Sequence, residues 1–284
     1  MKVWQADFYR RPLQDEAGNP LWQLLICDAD RTLVLDAFCP QPQANAAWLT
    51  AQLQLAYQNS NCTEPLQAHH LQVFRPQSVS LLQAACQPLG IVVEPTRRTP
   101  ALKQILQAQA QHYRSLPHYT GQPYEPVALD QPPPLPLPEH LWGEQWRFAA
   151  IAAQDLIPAF QHRPIPIVDM PEALFPVNLQ LASTVLVPGV IIEAGKQSMP
   201  LARWLQRSHP DSLNYIPGDP DGLILAAGLV DRWVLNTFED QEAIAAARTF
   251  RERQQAAKGL HFLLVQPDDS GMTYTGFWLL QRES

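Results

Sequence analysis

The sequence predicts a mixed α/β protein of two domains, and three observations carry that expectation. Strand-like and helix-like segments alternate along both halves of the chain after an opening run of three strands. A proline-dense stretch at 117–138, ending in Pro132-Pro133-Pro134-Leu135-Pro136-Leu137-Pro138, favours extended polyproline conformation between the halves. At 284 residues, with 46% hydrophobic and 17% charged side chains, the chain is long and apolar enough for two cores. The expected division is a domain at 1–116, a semi-rigid linker at 117–138 and a domain at 139–284. The PxxP pattern of the linker also suits a docking peptide.

The first strand is expected at 3–10, where Val3, Trp4, Phe8 and Tyr9 are β-formers. Turn residues Asp15 to Pro20 lead to a second strand at 21–27, and Asp28-Ala29-Asp30 leads to a third at 32–38. Two short connections in succession imply an antiparallel meander. A helix follows at 43–58, then a short strand at 71–74 and a helix at 78–87 stopped by Pro88 and Gly90. A strand at 91–94 precedes a helix that Thr99 caps and Pro100 opens. The order βββαβαβα is that of the ribonuclease-H-like fold.

In the second half, 146–151 reads as a strand, followed by a proline-broken stretch near 158–176. Segments 181–187 and 190–193 read as strands around a Pro188-Gly189 turn. A short helix is expected at 200–207, a hairpin over 223–238, and a long helix at 239–258 closed by Gly259. Strands at 261–266 and 273–280 finish the domain. The last contains Trp278-Leu279-Leu280, whose neighbours face opposite ways. It is either buried on both faces or shows a partner one of them.

The net charge of −7 excludes a bulk-basic nucleic-acid binder, so any RNA site must be a local patch. Cys27, Cys39, Cys62 and Cys86 have no metal-ligand spacing and read as reduced, buried thiols of a cytosolic protein. Neither a signal peptide nor an apolar run of transmembrane length is present, so a soluble, cytoplasmic protein without membrane insertion is expected.

Asp7 in the first strand, with Asp28 after the second, suits a metal-dependent nuclease of ribonuclease-H-like fold. Two-metal chemistry needs a denser convergence of carboxylates than the sequence supplies, and Asp28 also suits a turn. Arg97 and Arg98 stand before a helix start and suit either phosphate contact or surface bridges to Glu94. Lys196, Arg203 and Trp204 place cations beside an indole, the vocabulary of single-strand binding, although packing into the core is the commoner outcome for Trp204. Arg248, Arg251, Arg253 and Lys258 are interleaved with acids and read as a solvated helix face. With no nucleotide-loop, hydrolase, zincin or kinase signature, no enzyme, metal or cofactor is expected.

Ten segments together resemble one family. They are Asp7-Phe8-Tyr9 with Arg11-Pro12, residues 22–28, Phe38-Cys39-Pro40, residues 95–99, 143–148, Pro188-Gly189-Val190, residues 200–204, Arg232-Trp233-Val234, residues 259–263 and 276–280. In this order, over nearly the whole chain, they resemble the Tab/Atab family of cyanobacteria, algae and plants. The resemblance implies an RNA-binding factor for translation of photosystem I messages, with an A/U-rich psaB-like mRNA leader as ligand and translation or photosystem assembly proteins as further partners. It implies a functional role for Trp278, Leu279 and Leu280, and a cyanobacterial, cytoplasmic member with relatives in the chloroplast stroma. A protein-binding assembly factor without RNA ligand is the remaining alternative.

Overall fold

The computed structural model describes residues 2–59, 65 and 69–282. The chain forms two compact units, Met1–Asp130 and Gln131–Ser284, both mixed α/β.

The first unit contains β1 (Lys2–Gln14), β2 (Pro20–Asp28), β3 (Leu33–Pro40), α1 (Ala46–Asn59), β4 (His69–Val73), α2 (Pro76–Cys86), β5 (Val92–Pro95) and α3 (Pro100–Tyr113). The sheet order is β3-β2-β1-β4-β5, with β2 antiparallel to both neighbours and β4 and β5 parallel to β1. This is the meander-plus-crossover arrangement that the βββαβαβα order leads one to expect.

Strand alternation divides β1 between two environments. Trp4, Ala6 and Phe8 join Leu49, Leu53 and Leu82 of α1 and α2 in one apolar core. Gln5, Asp7 and Arg11 are buried polar residues, two apart or four apart and so on the other face. Part of the proline-rich stretch lies against this unit, where Thr120 N–H donates to Pro12 O and Leu13 bridges Tyr119. Cys27, Cys39 and Cys86 are buried free thiols, and desolvation pushes their pKa values up to about 12, 11 and 12. Cys62 lies outside the described residues.

Thr99 occupies the N-cap position of α3, but its hydroxyl does not cap the helix. Gln5 reaches across from β1 instead, its Oε1 accepting from Leu102 N–H at 3.0 Å. The orphan donor is thus satisfied by a residue 97 positions away, which local capping rules cannot anticipate.

The second unit contains β6 (Leu135–Pro136), β7 (Gln145–Ala152), α4 (Ala153–Phe160), β8 (Ile167–Asp169), β9 (Leu186–Glu193), α5 (Ser198–Ser208), β10 (Pro210–Ile216), β11 (Asp221–Ala227), β12 (Asp231–Phe238), α6 (Gln241–Ala256), β13 (Leu260–Gln266) and β14 (Gly276–Gln281). They build two sheets, β10-β11-β12-β6 and β7-β9-β13-β14-β8. Proline-rich residues thereby contribute a strand, since Leu135 and Pro136 pair in parallel with Trp233 and Val234.

The expected turn at Pro188-Gly189 is instead the middle of β9. Gly189 is needed there because a Cβ would enter the ring of Phe262 on the neighbouring strand. Residues 181–185 are not strand, and β10 is an element that the sequence pattern hid among Asp211, Ser212 and Asn214. His261 on β13 holds β10 in place, its Nε2 accepting from Leu213 N–H at 2.8 Å. Burial pushes the His261 pKa down to about 4, so the imidazole is neutral.

Candidate nucleic-acid interface

The buried polar face of β1 is closed by arginines. Asp7 accepts from Arg11 Nη2 through one carboxylate oxygen and from Arg75 Nε through the other, both at 2.9 Å. Burial disfavours the charged guanidinium of Arg11, but Asp7, Tyr124 and Tyr113 outweigh it and raise the pKa above its ordinary value. Arg11 Nε donates to Gln23 at 2.7 Å and Nη1 to the Tyr124 hydroxyl at 2.7 Å. Arg75 Nη2 and Nη1 donate to the carbonyls of Pro126 and Ala128 at 2.8 and 3.2 Å, and its guanidinium lies 3.9 Å from the Tyr9 ring centre. The cluster ties the strap at 124–128 to the sheet.

That arrangement opposes the nuclease reading of Asp7 and Asp28. Each Asp7 oxygen already faces a cation, where metal chemistry would need it open. Asp28 Oδ1 accepts from the N–H groups of Asp30 and Thr32, which is turn chemistry. Arg75 was not visible as a partner from sequence, since it lies 68 residues from Asp7; Arg11, four along the same strand, gave the one local signal.

Arg97 and Arg98 have different environments. Arg97 is 9% exposed, and its carbonyl accepts from Thr99 N–H and Lys103 Nζ, whereas Arg98 is exposed. Only Arg98 therefore presents its side chain broadly to solvent. The occupied Leu102 N–H also lessens the anion attraction expected at the start of α3.

Helix α5 brings the other predicted residues together. Ser198, Leu201, Ala202 and Leu205 form its buried side, while Arg203 and Arg207 are exposed and Lys196 is exposed in the turn just before it. A spacing of four puts Arg203 and Arg207 on one face of α5, and Lys196 precedes them in the turn. No acid occurs between residues 194 and 208, so this stretch is basic in sequence despite the acidic chain, while the Glu144 carboxylate lies against Gly195 at its start. Trp204 is half-buried, its ring edge-on to Trp233 with centroids 5.2 Å apart. Arg207 and Trp233 belong to this surface although sequence reasoning passed over them.

The long helix α6 uses its cations differently. Arg248 acts on Tyr215 and Asp221, Arg251 lies over the Tyr215 ring, and Lys258, two residues past the end of α6, donates from Nζ to Leu179 O at 2.8 Å. In β14, Trp278, Leu279 and Leu280 are all buried. Trp278 and Leu280 enter one core, and Phe277 and Leu279 enter another on the opposite face. Phe277 stacks on Phe160 with centroids 4.0 Å apart. Among the described residues no cluster of His, Cys, Asp or Glu could hold a metal ion, and no helix is long and apolar enough to cross a membrane.

Two family models match the chain. The one described as "RNA-binding protein Tab2/Atab2 N terminal" covers residues 3–109, and "RNA-binding protein Tab2/Atab2, C-terminal domain" covers 124–281. The "Protein TAB2 homolog, chloroplastic" of Zea mays is 28% identical over 285 residues, spanning 99% of this chain and 71% of that protein. Its namesake in Arabidopsis thaliana is 27% identical over 285 residues, spanning 99% and 74%. A chain from the cryo-EM structure of the simian T-cell lymphotropic virus intasome with PP2A regulatory subunit B56 gamma aligns over 44% of this chain and 45% of its own. At 14% identity and a TM-score of 0.27, that likeness carries no argument.

Proposed function

This chain belongs to the Tab2/Atab2 family, and from that membership we propose that it is a non-enzymatic RNA-binding protein. Its ligand is single-stranded mRNA, with an A/U-rich, psaB-like leader as the preferred class. Its work supports translation and photosystem I biogenesis, in a cyanobacterial cytoplasm or, for relatives, the chloroplast stroma. The observation that carries the reading is the exposed set of cations Lys196, Arg203 and Arg207 beside Trp204. Cations held on a helix track phosphates, and the neighbouring indole edges supply apolar contact for bases. Arg98 is a second, weaker candidate because its side chain faces solvent.

The burial of Trp278, Leu279 and Leu280 supports a folding role for the tripeptide rather than direct contact with RNA or protein. The Asp7 cluster supports the non-enzymatic reading, because both carboxylate oxygens are engaged by guanidinium groups.

The test is filter binding of A/U-rich and G/C-rich single-stranded RNAs in EDTA, at several salt concentrations. Tighter retention of A/U-rich RNA without divalent metal is expected. Replacing Lys196, Arg203 and Arg207 with alanine should lower the log–log salt slope by about two, at roughly 0.7 per lost phosphate contact. An unchanged slope would remove α5 as the phosphate track.

A further inference from the structure

The second unit contains a cavity of about 640 Å³ that apolar packing leaves open. Protein interiors are close-packed, and voids of this size belong to ligand sites rather than to cores. Its inner wall includes Leu137 and Leu201, and its mouth carries Trp142, Trp146, Glu144 and Asn236. Trp142 is 57% exposed, the only tryptophan among the described residues that is more than half exposed, and its Nε1–H donates to Leu137 O at 2.8 Å. That bond fixes an indole at the entrance.

The charges of the lining select the occupant. No Lys or Arg lines the cavity, and Glu144 is acidic, so a phosphate is unwelcome inside. Aromatic walls with one carboxylate, Glu144, and two amides, Gln145 and Asn236, suit a neutral, planar, hydrogen-bonding heterocycle. The carboxylate of Glu144 rests against Gly195, where any Cβ would collide with it and where φ is +47°. The next residue is Lys196, and Leu201 of α5, the helix that follows, forms part of the cavity wall. The mouth therefore opens beside the start of the basic stretch.

We propose that this cavity receives one unstacked nucleobase of single-stranded RNA, while Lys196 and Arg203 hold the adjoining phosphates outside it. The inference rests on the RNA-binding reading of α5 and adds to it a base site that phosphate contacts do not supply.

Two exposed positions test it without disturbing a core. Thr237→Trp fills the mouth from β12, and Trp142→Ala removes the entrance indole. Both variants and the wild type are titrated with an A/U-rich oligonucleotide and with the same backbone made abasic, and thermal melts verify folding. Each variant should bind the base-bearing RNA about tenfold more weakly, with an unchanged salt slope, and should match wild type on the abasic strand. Variants that bind base-bearing RNA as tightly as wild type overturn the base site and leave the α5 reading intact. A wild type that binds neither strand overturns both.

Discussion

Arginines in the two units face opposite situations. Arg11 and Arg75 in the first unit are buried, and their hydrogen bonds are directed at Asp7, Gln23, Tyr124 and strap carbonyls. Arg203 and Arg207 in the second unit stand exposed on a helix whose other side is core. Identical side chains thus serve architecture in one place and remain available to a ligand in the other. What separates them is the buried carboxylate of Asp7 within reach of both first-unit arginines, because an unpaired buried charge is too costly to keep. A count of basic residues is uninformative here, and their partners decide their role.

The sharpest way to break the contrast is to remove the carboxylate. Asp7→Ala strands two buried guanidinium groups and should cost about 3–5 kcal/mol of stability in urea unfolding. A loss below 1 kcal/mol would mean that the arginines are held by the strap alone. Trp278→Ala should also cost about 3–5 kcal/mol, and Leu279→Ala about 2–5 kcal/mol, since they fill cores on opposite faces of β14. Should either variant keep wild-type stability while losing RNA or protein association, the tripeptide would regain a direct binding role.

Acid sharpens the comparison through His261. Its folded pKa of about 4 lies below the ordinary 6.5, so between those values the unfolded chain binds the extra proton. Stability from this group is complete above pH 6.5 and falls as the pH drops toward 4, by roughly 3 kcal/mol for a 2.5-unit depression. His261→Gln should flatten that part of the pH–stability curve for the second unit. An equally steep curve would assign the acid sensitivity to other groups. The smallest effect is expected from Arg98→Ala: stability within about 0.5 kcal/mol of wild type and a salt slope lower by about 0.7.

Much of the fold is legible where the information is local. The meander β1–β3 follows from period-two strands joined by Asp/Gly/Asn turns, and the start of α3 follows from Pro100. Features set by distant residues are not legible. Gln5 caps α3 from another element, Phe262 explains the glycine that makes β9 resemble a turn, and Arg75 meets Asp7 only after folding. The candidate interface divides in the same way. Lys196, Arg203 and Trp204 are adjacent enough to read together, while Trp142 gains meaning only from the cavity beside α5. Charge identity is written in sequence; exposure and partnership come from tertiary contacts.

The most direct test of an RNA track in the second unit is a crosslinking map of the full chain on single-stranded A/U-rich RNA. The account predicts crosslinks in two peptides, residues 139–147 around Trp142 and 196–207 around Arg203, and their loss when Lys196, Arg203 and Arg207 become alanine. Crosslinks confined to residues 1–130, or retained unchanged in the triple variant, would contradict it.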